Sequence, residues 1–217
     1  MIQARAVIFD FDLTLADSSA AFEVCHRYAA ELVGIAPPPV EAIRRSIGTQ
    51  LPLAVPMLYG EAIDGRVDEY IKLYQARADE IMGPMTVMLP GAADVLQRLN
   101  EASIPTAIVS QKLRYRVEEV LQREGLIDSF AVILGGEDVP AFKPDPSGLQ
   151  LAIGRLGVPA TDAVYVGDTT IDAQAAANAG LRFVAVLTGP TTRDEFDPYQ
   201  TAAILDSVAD LPGLLGL

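Results

Sequence analysis

The sequence predicts an α/β protein with a doubly wound parallel sheet, interrupted near its start by an all-helical insertion. Short apolar runs rich in β-branched residues recur along the chain, each followed by one stretch of helical periodicity. Several of these runs are apolar throughout rather than alternating, as strands are when helices cover both faces of a parallel sheet. Between Ala20 and about Met82 no such run occurs, and apolar residues return every three or four positions instead.

The first strand is Val7, Ile8 and Phe9, and it stops at Asp10. Ala21, Val24, Cys25, Tyr28, Ala29 and Leu32 mark one face of an amphipathic helix ending near Gly34, with Asp17 or Ser18 as its N-cap. Pro37-Pro38-Pro39 makes a rigid turn, Ile43 and Ile47 belong to a second helix, and helical patterns follow over 53–59 and 67–82. The α/β alternation begins at Val87. Helices are expected over 91–101, 113–125, 146–156 and 171–179, and strands over 106–110, 131–134, 163–166 and 183–187. A short strand at 203–205 and a terminal helix close the chain. Single helices between parallel strands require right-handed crossovers, which put every strand's carboxyl end on one edge of the sheet.

At 217 residues the chain fits one sizeable domain, or one domain carrying an insertion. Half of it is hydrophobic and 21% is charged, which supports a substantial core and excludes disorder. The net charge of −13 disfavours sequence-independent nucleic-acid binding, which needs a basic footprint. No uninterrupted apolar stretch is long enough to span a bilayer, and carboxylates interrupt the N-terminal apolar run where a signal peptide would be uniform. One cysteine, Cys25, rules out an intramolecular disulfide framework. The expectation is a cytoplasmic protein whose partner is a small molecule, with neither nucleic acid nor membrane involved.

Candidate chemistry collects at the strand ends. Asp10 and Asp12 follow the first strand, Ser110 the second, and Asp168 the fourth, with Asp172 one helical turn further on. Lys143 lies in the loop GGEDVPAFKPDP after the third. Two carboxylates at ~4.5 Å repel by about 3.7 kcal/mol at an effective dielectric near 20, and a hard cation bound by oxygens would relieve that. Read singly, Asp10 and Asp12 could end a strand and start a turn, Ser110 or Asp168 could cap a helix, and Lys143 could be a solvated loop cation. Read together they form a phosphoryl-transfer inventory. Asp10 would be the nucleophile and Asp12 the acid and then the base. Ser110 and neighbouring backbone N–H groups would hold the phosphoryl oxygens, and Lys143 would neutralise the phosphoryl charge and keep the nucleophile oriented. Asp168 would help bind Mg²⁺, with Asp172 close by as a ligand or as support for one. His26, the only histidine, is expected on a surface helix outside the chemistry, and Cys25 to pack as a small hydrophobe.

With these residues placed, the chain resembles the haloacid dehalogenase superfamily of phosphohydrolases over essentially its full length. Asp10-Phe11-Asp12-Leu13-Thr14 resembles the first motif and Ser110 the second. Lys143-Pro144-Asp145-Pro146 resembles the third, and 167–172 (GDTTID) the fourth. The resemblance implies a Rossmann-like core at 1–16 and 86–217, Asp10 on the central strand, Mg²⁺ dependence and a helical cap at 17–85. It also implies phosphate contacts from Thr14, Ser110, Gln111 and Lys143, and metal ligation by Asp10, Asp12, Asp168 and Asp172. Within the superfamily the stretches TLADS, RRSIGTQLPL and TGPTTRDEF are similar to phosphoglycolate phosphatase-like enzymes.

Two departures and several arginines bear on the substrate. Gln111 follows Ser110 where asparagine or serine is more usual in the family. Arg44 and Arg45 could meet a substrate carboxylate or second phosphate, or could be solvated helix cations, and Arg114 and Arg116 stand similarly. The leading expectation is an aspartyl-phosphate enzyme that hydrolyses a small phosphorylated metabolite. A phosphosugar mutase of the same superfamily is the nearest alternative, weakened because Phe22 stands where those enzymes keep a cap histidine. A non-catalytic phospho-accepting signalling protein is the alternative from another class. A dehalogenase fits less well, since it would lack Asp12 and the metal.

Overall fold

The computed structural model describes residues 1–217 and separates into two units, one of Met1–Ala16 with Met88–Leu217 and one of Asp17–Val87. The first part of the chain forms β1 (Ala6–Phe9), β2 (Ala16–Asp17), α1 (Ser19–Val33), α2 (Val40–Ser46), α3 (Leu51–Tyr59), α4 (Val67–Met85) and β3 (Val87–Met88). There follow α5 (Ala92–Glu101), β4 (Thr106–Val109), α6 (Arg114–Arg123), β5 (Val132–Leu134), α7 (Ser147–Leu156) and β6 (Ala163–Gly167). The chain ends with α8 (Thr170–Ala179), β7 (Arg182–Val186), β8 (Thr201–Leu205) and α9 (Leu211–Leu215). Short 3₁₀ turns lie between several of these elements.

The first unit is built on a six-stranded sheet in the order β5-β4-β1-β6-β7-β8, every neighbouring pair parallel. From β1 the chain builds outward through β4 to β5, then returns to place β6, β7 and β8 on the other side. The order therefore reverses between β1 and β6, and a doubly wound sheet opens its binding crevice beyond the carboxyl ends at such a reversal. Asp10 follows one of those two strands and Asp168 the other.

Strand side chains alternate between faces, and each face has its own core. Val7, Phe9, Ile108, Val164 and Val166 pack with residues of α5 and α6 on one side. Ala6, Ile8, Ala107, Val109 and Tyr165 pack with residues of α7 and α8 on the other. Burying a side chain such as Ile8 or Phe9 contributes about 1.5–3 kcal/mol, so the apolar strands hold the sheet edge rigidly beneath the crevice. The segment at 203–205 belongs to a full sixth strand, whose first residues the sequence pattern hides because edge position leaves Thr201 and Ala202 partly exposed. Leaving and re-entering this unit, the chain passes Leu15 and Leu89, and Leu89 N–H donates to the Leu15 carbonyl at 2.8 Å.

The second unit has its own apolar core. Ala21, Cys25, Ala29 and Val33 on α1 face Tyr70, Tyr74, Ala78 and Met82 on α4. At the start of α1 the residue in the N-cap position is Ser18, yet the Asp17 carboxylate accepts the Ser19 N–H at 2.7 Å. Helix α4 continues past Met82 through Gly83 and Pro84, and Thr86 takes over the Met82 carbonyl with both its N–H (3.0 Å) and its hydroxyl (2.6 Å). His26 corrects the sequence expectation of a surface position. It is 1% exposed, its Nδ1 lies 2.7 Å from the Tyr70 hydroxyl, and burial lowers its pKa to about 4. A lone polar residue on an apolar helix face looks like surface until a hydroxyl partner from a distant helix meets it.

Candidate active site

Asp10 extends the β1–β6 pairing by one step, its N–H donating to the Val166 carbonyl at 2.9 Å. The chain then turns sharply. Leu13 takes a left-handed backbone with φ of 59°, held by its N–H to the Ala16 carbonyl at 2.6 Å. That turn carries Thr14 back over the sheet edge, where its hydroxyl donates to Asp168 Oδ1 at 3.2 Å. Ser110, Lys143, Asp168 and Asp172 arrive from four further segments of the same unit, so the acids, the lysine and the hydroxyl converge on one edge.

Lys143 sits among three oxygens. Its Nζ is 2.6 Å from Asp172 Oδ1, 2.9 Å from the Tyr165 hydroxyl and 3.1 Å from Asp10 Oδ1. Burial alone would favour the neutral amine, but the charges of Asp10 and Asp172 outweigh it and raise the lysine's pKa. Asp172 is more fully engaged. Its Oδ1 accepts from Lys143 and, at 2.7 Å, from Tyr165, while its Oδ2 accepts the Thr169 hydroxyl at 2.5 Å and N–H at 3.1 Å. Burial pushes this carboxyl up, yet the Lys143 charge and these hydrogen bonds hold it below the ordinary aspartate value. Thr169, rather than Asp168, is the N-cap of α8, and Asp172 completes a capping box with it.

Asp10, Asp168 and Asp172 bring carboxylate oxygens within 4.8 Å of one another, all buried. Burial, opposed by Lys143 and reinforced by Asp172 and Asp12, raises the Asp10 pKa to about 6. Burial with the charges of Asp172 and Asp10 raises Asp168 well above its usual range. Gly189, in the loop after β7, packs so closely that a Cβ there would fall 1.9 Å from Asp168 Oδ2.

The Asp12 carboxylate stands outside that group. Both its oxygens accept from Lys112, at 2.8 and 3.0 Å, and both side chains are buried. Four carboxylates against two ammoniums leave the cleft two negative charges in excess when all are ionised. The donors are hard oxygens, so the set fits a divalent hard cation such as Mg²⁺.

Lys112 and Tyr165 escaped sequence reasoning. A lysine in a loop reads as a solvated cation, although its place two residues beyond Ser110 put it on the right edge. Tyr165 reads as one more apolar strand residue; its hydroxyl gains a role only because α8 presents Asp172 above it. Ser110 remains at the site, its Oγ accepting the Lys112 N–H at 3.3 Å, and Gln111 borders the same recess with Phe142 and Lys143. Arg45 belongs to the helical unit, where Glu41 lies 3.6 Å from it one turn away. Arg114 meets Glu118 and Asp138 at 3.7 and 3.6 Å, and Arg116 is buried beside the Tyr115 ring.

The family model described as haloacid dehalogenase-like hydrolase matches residues 7–186. The chain belongs to that family. It is 33% identical to a phosphoglycolate phosphatase of Rhodobacter capsulatus, over 98% of this chain and 97% of that one. A phosphoglycolate phosphatase of Xanthomonas campestris is also 33% identical, over 92% and 90% of the two chains. A solved haloacid dehalogenase-like hydrolase from Bacteroides fragilis superposes with a TM-score of 0.92 at 36% identity, covering 96% of this chain and all of the other.

Proposed function

We propose that this haloacid dehalogenase-like hydrolase is a Mg²⁺-dependent phosphatase that cleaves a small phosphomonoester, phosphoglycolate or a close relative, through an aspartyl phosphate on Asp10. The observation that carries the proposal is the buried Asp10 at the strand-order reversal, 3.1 Å from Lys143 and grouped with two further carboxylates. The names of the curated relatives support the substrate class.

Asp10 would attack phosphorus while Asp12 gives a proton to the departing oxygen. Asp12 would then take a proton from the water that hydrolyses the acyl phosphate. Lys143 would neutralise charge on the transferred group, with Ser110 and Gln111 as further contacts. Thr14 would act through Asp168, to which its hydroxyl already donates. Mg²⁺ would be held by Asp10 and Asp168, with Asp172 supporting, and would supply the positive charge that lets an anionic phosphate approach an anionic nucleophile. The helical unit would serve as the cap that selects the leaving group and excludes water, Arg45 contributing there. A reducing, cytoplasmic setting accords with a single buried cysteine.

The test is phosphate release from phosphoglycolate and a panel of phosphorylated metabolites, with and without Mg²⁺. Steady Mg²⁺-dependent turnover that disappears in Asp10→Asn is the expected result. Activity surviving in Asp10→Asn would remove Asp10 as the nucleophile, and a long-lived phosphoaspartate without turnover would point to a signalling role instead.

A further inference from the structure

We infer that Lys112 is the positioning residue for the acid–base group Asp12, an assignment that rests on the phosphatase reading above. Its ammonium spans both oxygens of Asp12, at 2.8 and 3.0 Å, and its side chain is only 3% exposed. A carboxylate gripped at both oxygens has a fixed plane, and general acid catalysis depends on that orientation.

The backbone around Lys112 is fixed as well. Its N–H donates to Ser110 Oγ at 3.3 Å, and its carbonyl accepts the Gly136 N–H at 3.0 Å. The Gly135-Gly136 pair makes this seating possible. A Cβ on Gly135 would fall 2.2 Å from the Arg114 nitrogen, and one on Gly136 would fall 2.8 Å from the Gln111 carbonyl oxygen. The two glycines thus let the loop after β5 press against the loop after β4. The aromatic ring of Phe11 lies beneath the ammonium, 5.9 Å from ring centre to Nζ. Lys112 therefore reaches Asp12 from a loop in which both its N–H and its carbonyl are hydrogen-bonded.

Lys143 and Lys112 divide the cleft between them. Lys143 lies against the nucleophile and Asp172, whereas Lys112 lies against the group that handles the leaving oxygen. Losing Lys112 should therefore damage proton delivery to the leaving group more than attack on phosphorus.

The experiment compares kcat/KM, which reports steps through the first irreversible one, for p-nitrophenyl phosphate and for an alkyl phosphate such as phosphoglycolate. Nitrophenolate leaves without a proton; an alkoxide does not. In Lys112→Met the alkyl substrate should lose roughly 10²–10³-fold and the aryl substrate far less, with Lys112→Arg recovering part of the difference. In an Asp12→Asn background, Lys112→Met should produce no further change in the alkyl-to-aryl ratio. Equal losses on both substrates, or an unchanged ratio in Lys112→Met with Asp12 intact, would overturn the assignment. If Lys112→Met does not fold, the ratio in Lys112→Arg decides, because a longer, planar cation must shift Asp12 if the pair sets its orientation. Wild-type protein that releases no phosphate from either substrate would instead refute the phosphatase reading itself.

Discussion

Acidification should unfold this protein partly through the one histidine of its helical unit. His26 is 1% exposed in the helical unit, beside the Tyr70 hydroxyl at 2.7 Å and with the Tyr74 ring centred 4.9 Å from its own. Burial lowers its pKa from 6.5 to about 4. A histidine depressed in the folded state contributes stability that is complete above its unfolded pKa and is lost as pH falls from 6.5 through the folded value. At 1.36 kcal/mol per pH unit, the loss amounts to about 3 kcal/mol by pH 4. The control is His26→Asn, whose side-chain oxygen can approximate the position of Nδ1 but does not titrate. Urea unfolding would be followed by far-UV circular dichroism or tyrosine emission, since the chain has no tryptophan. Between pH 7.5 and pH 4, wild type should lose about 3 kcal/mol more than the variant. With urea slopes of about 1–3 kcal/mol per molar, its midpoint should fall by roughly 1–3 M more. Parallel pH dependences for the two proteins would refute the reasoning.

Two further outcomes follow from the crowded acids. Gly189→Ala would put a methyl group 1.9 Å from Asp168 Oδ2, so the carboxylate must move; Mg²⁺ affinity measured by calorimetry should fall about 10–100-fold, and overpacking should cost about 1–3 kcal/mol of stability without metal. Asp10 is the opposite case to His26. Its pKa rises from 3.8 to about 6, so its contribution to stability is present at low pH and is lost as pH climbs through that window. Asp10→Asn should therefore melt several degrees higher than wild type at pH 7.5 in chelator, and saturating Mg²⁺ should narrow the gap by stabilising wild type; a lower melting temperature for the variant in chelator would contradict this.

The order of strands and helices in the sheet-bearing unit was legible because the inner strands β1, β4 and β6 are buried on both faces and carry an unbroken apolar signal, whereas the edge strand β8 does not. The placement of Asp10, Ser110 and Asp168 on one sheet edge was legible for a related reason, since each directly follows a strand, whereas Lys143 lies well along the loop after β5. What escaped depends on contacts across the fold. Lys112 and Asp12 are a hundred positions apart, and nothing near either one announces the other. The sequence also put Asp12 with Asp10, Asp168 and Asp172, but its carboxylate is taken up by Lys112 while the other three gather within 4.8 Å of one another. Asp172 shows a shared duty that pattern alone does not separate: it completes the α8 cap and braces Lys143 at once.

The hydrogen bond between Leu15 and Leu89 has an evolutionary corollary. Where the backbone departs from the sheet-bearing half and where it rejoins are stitched directly together, so everything threaded between those two points is, topologically, a very long loop. Lengthening such a loop costs little closure entropy, about 0.6 kcal/mol for each doubling. Selection could therefore enlarge, trim or exchange the intervening segment while the sheet edge with its gathered acids stayed untouched.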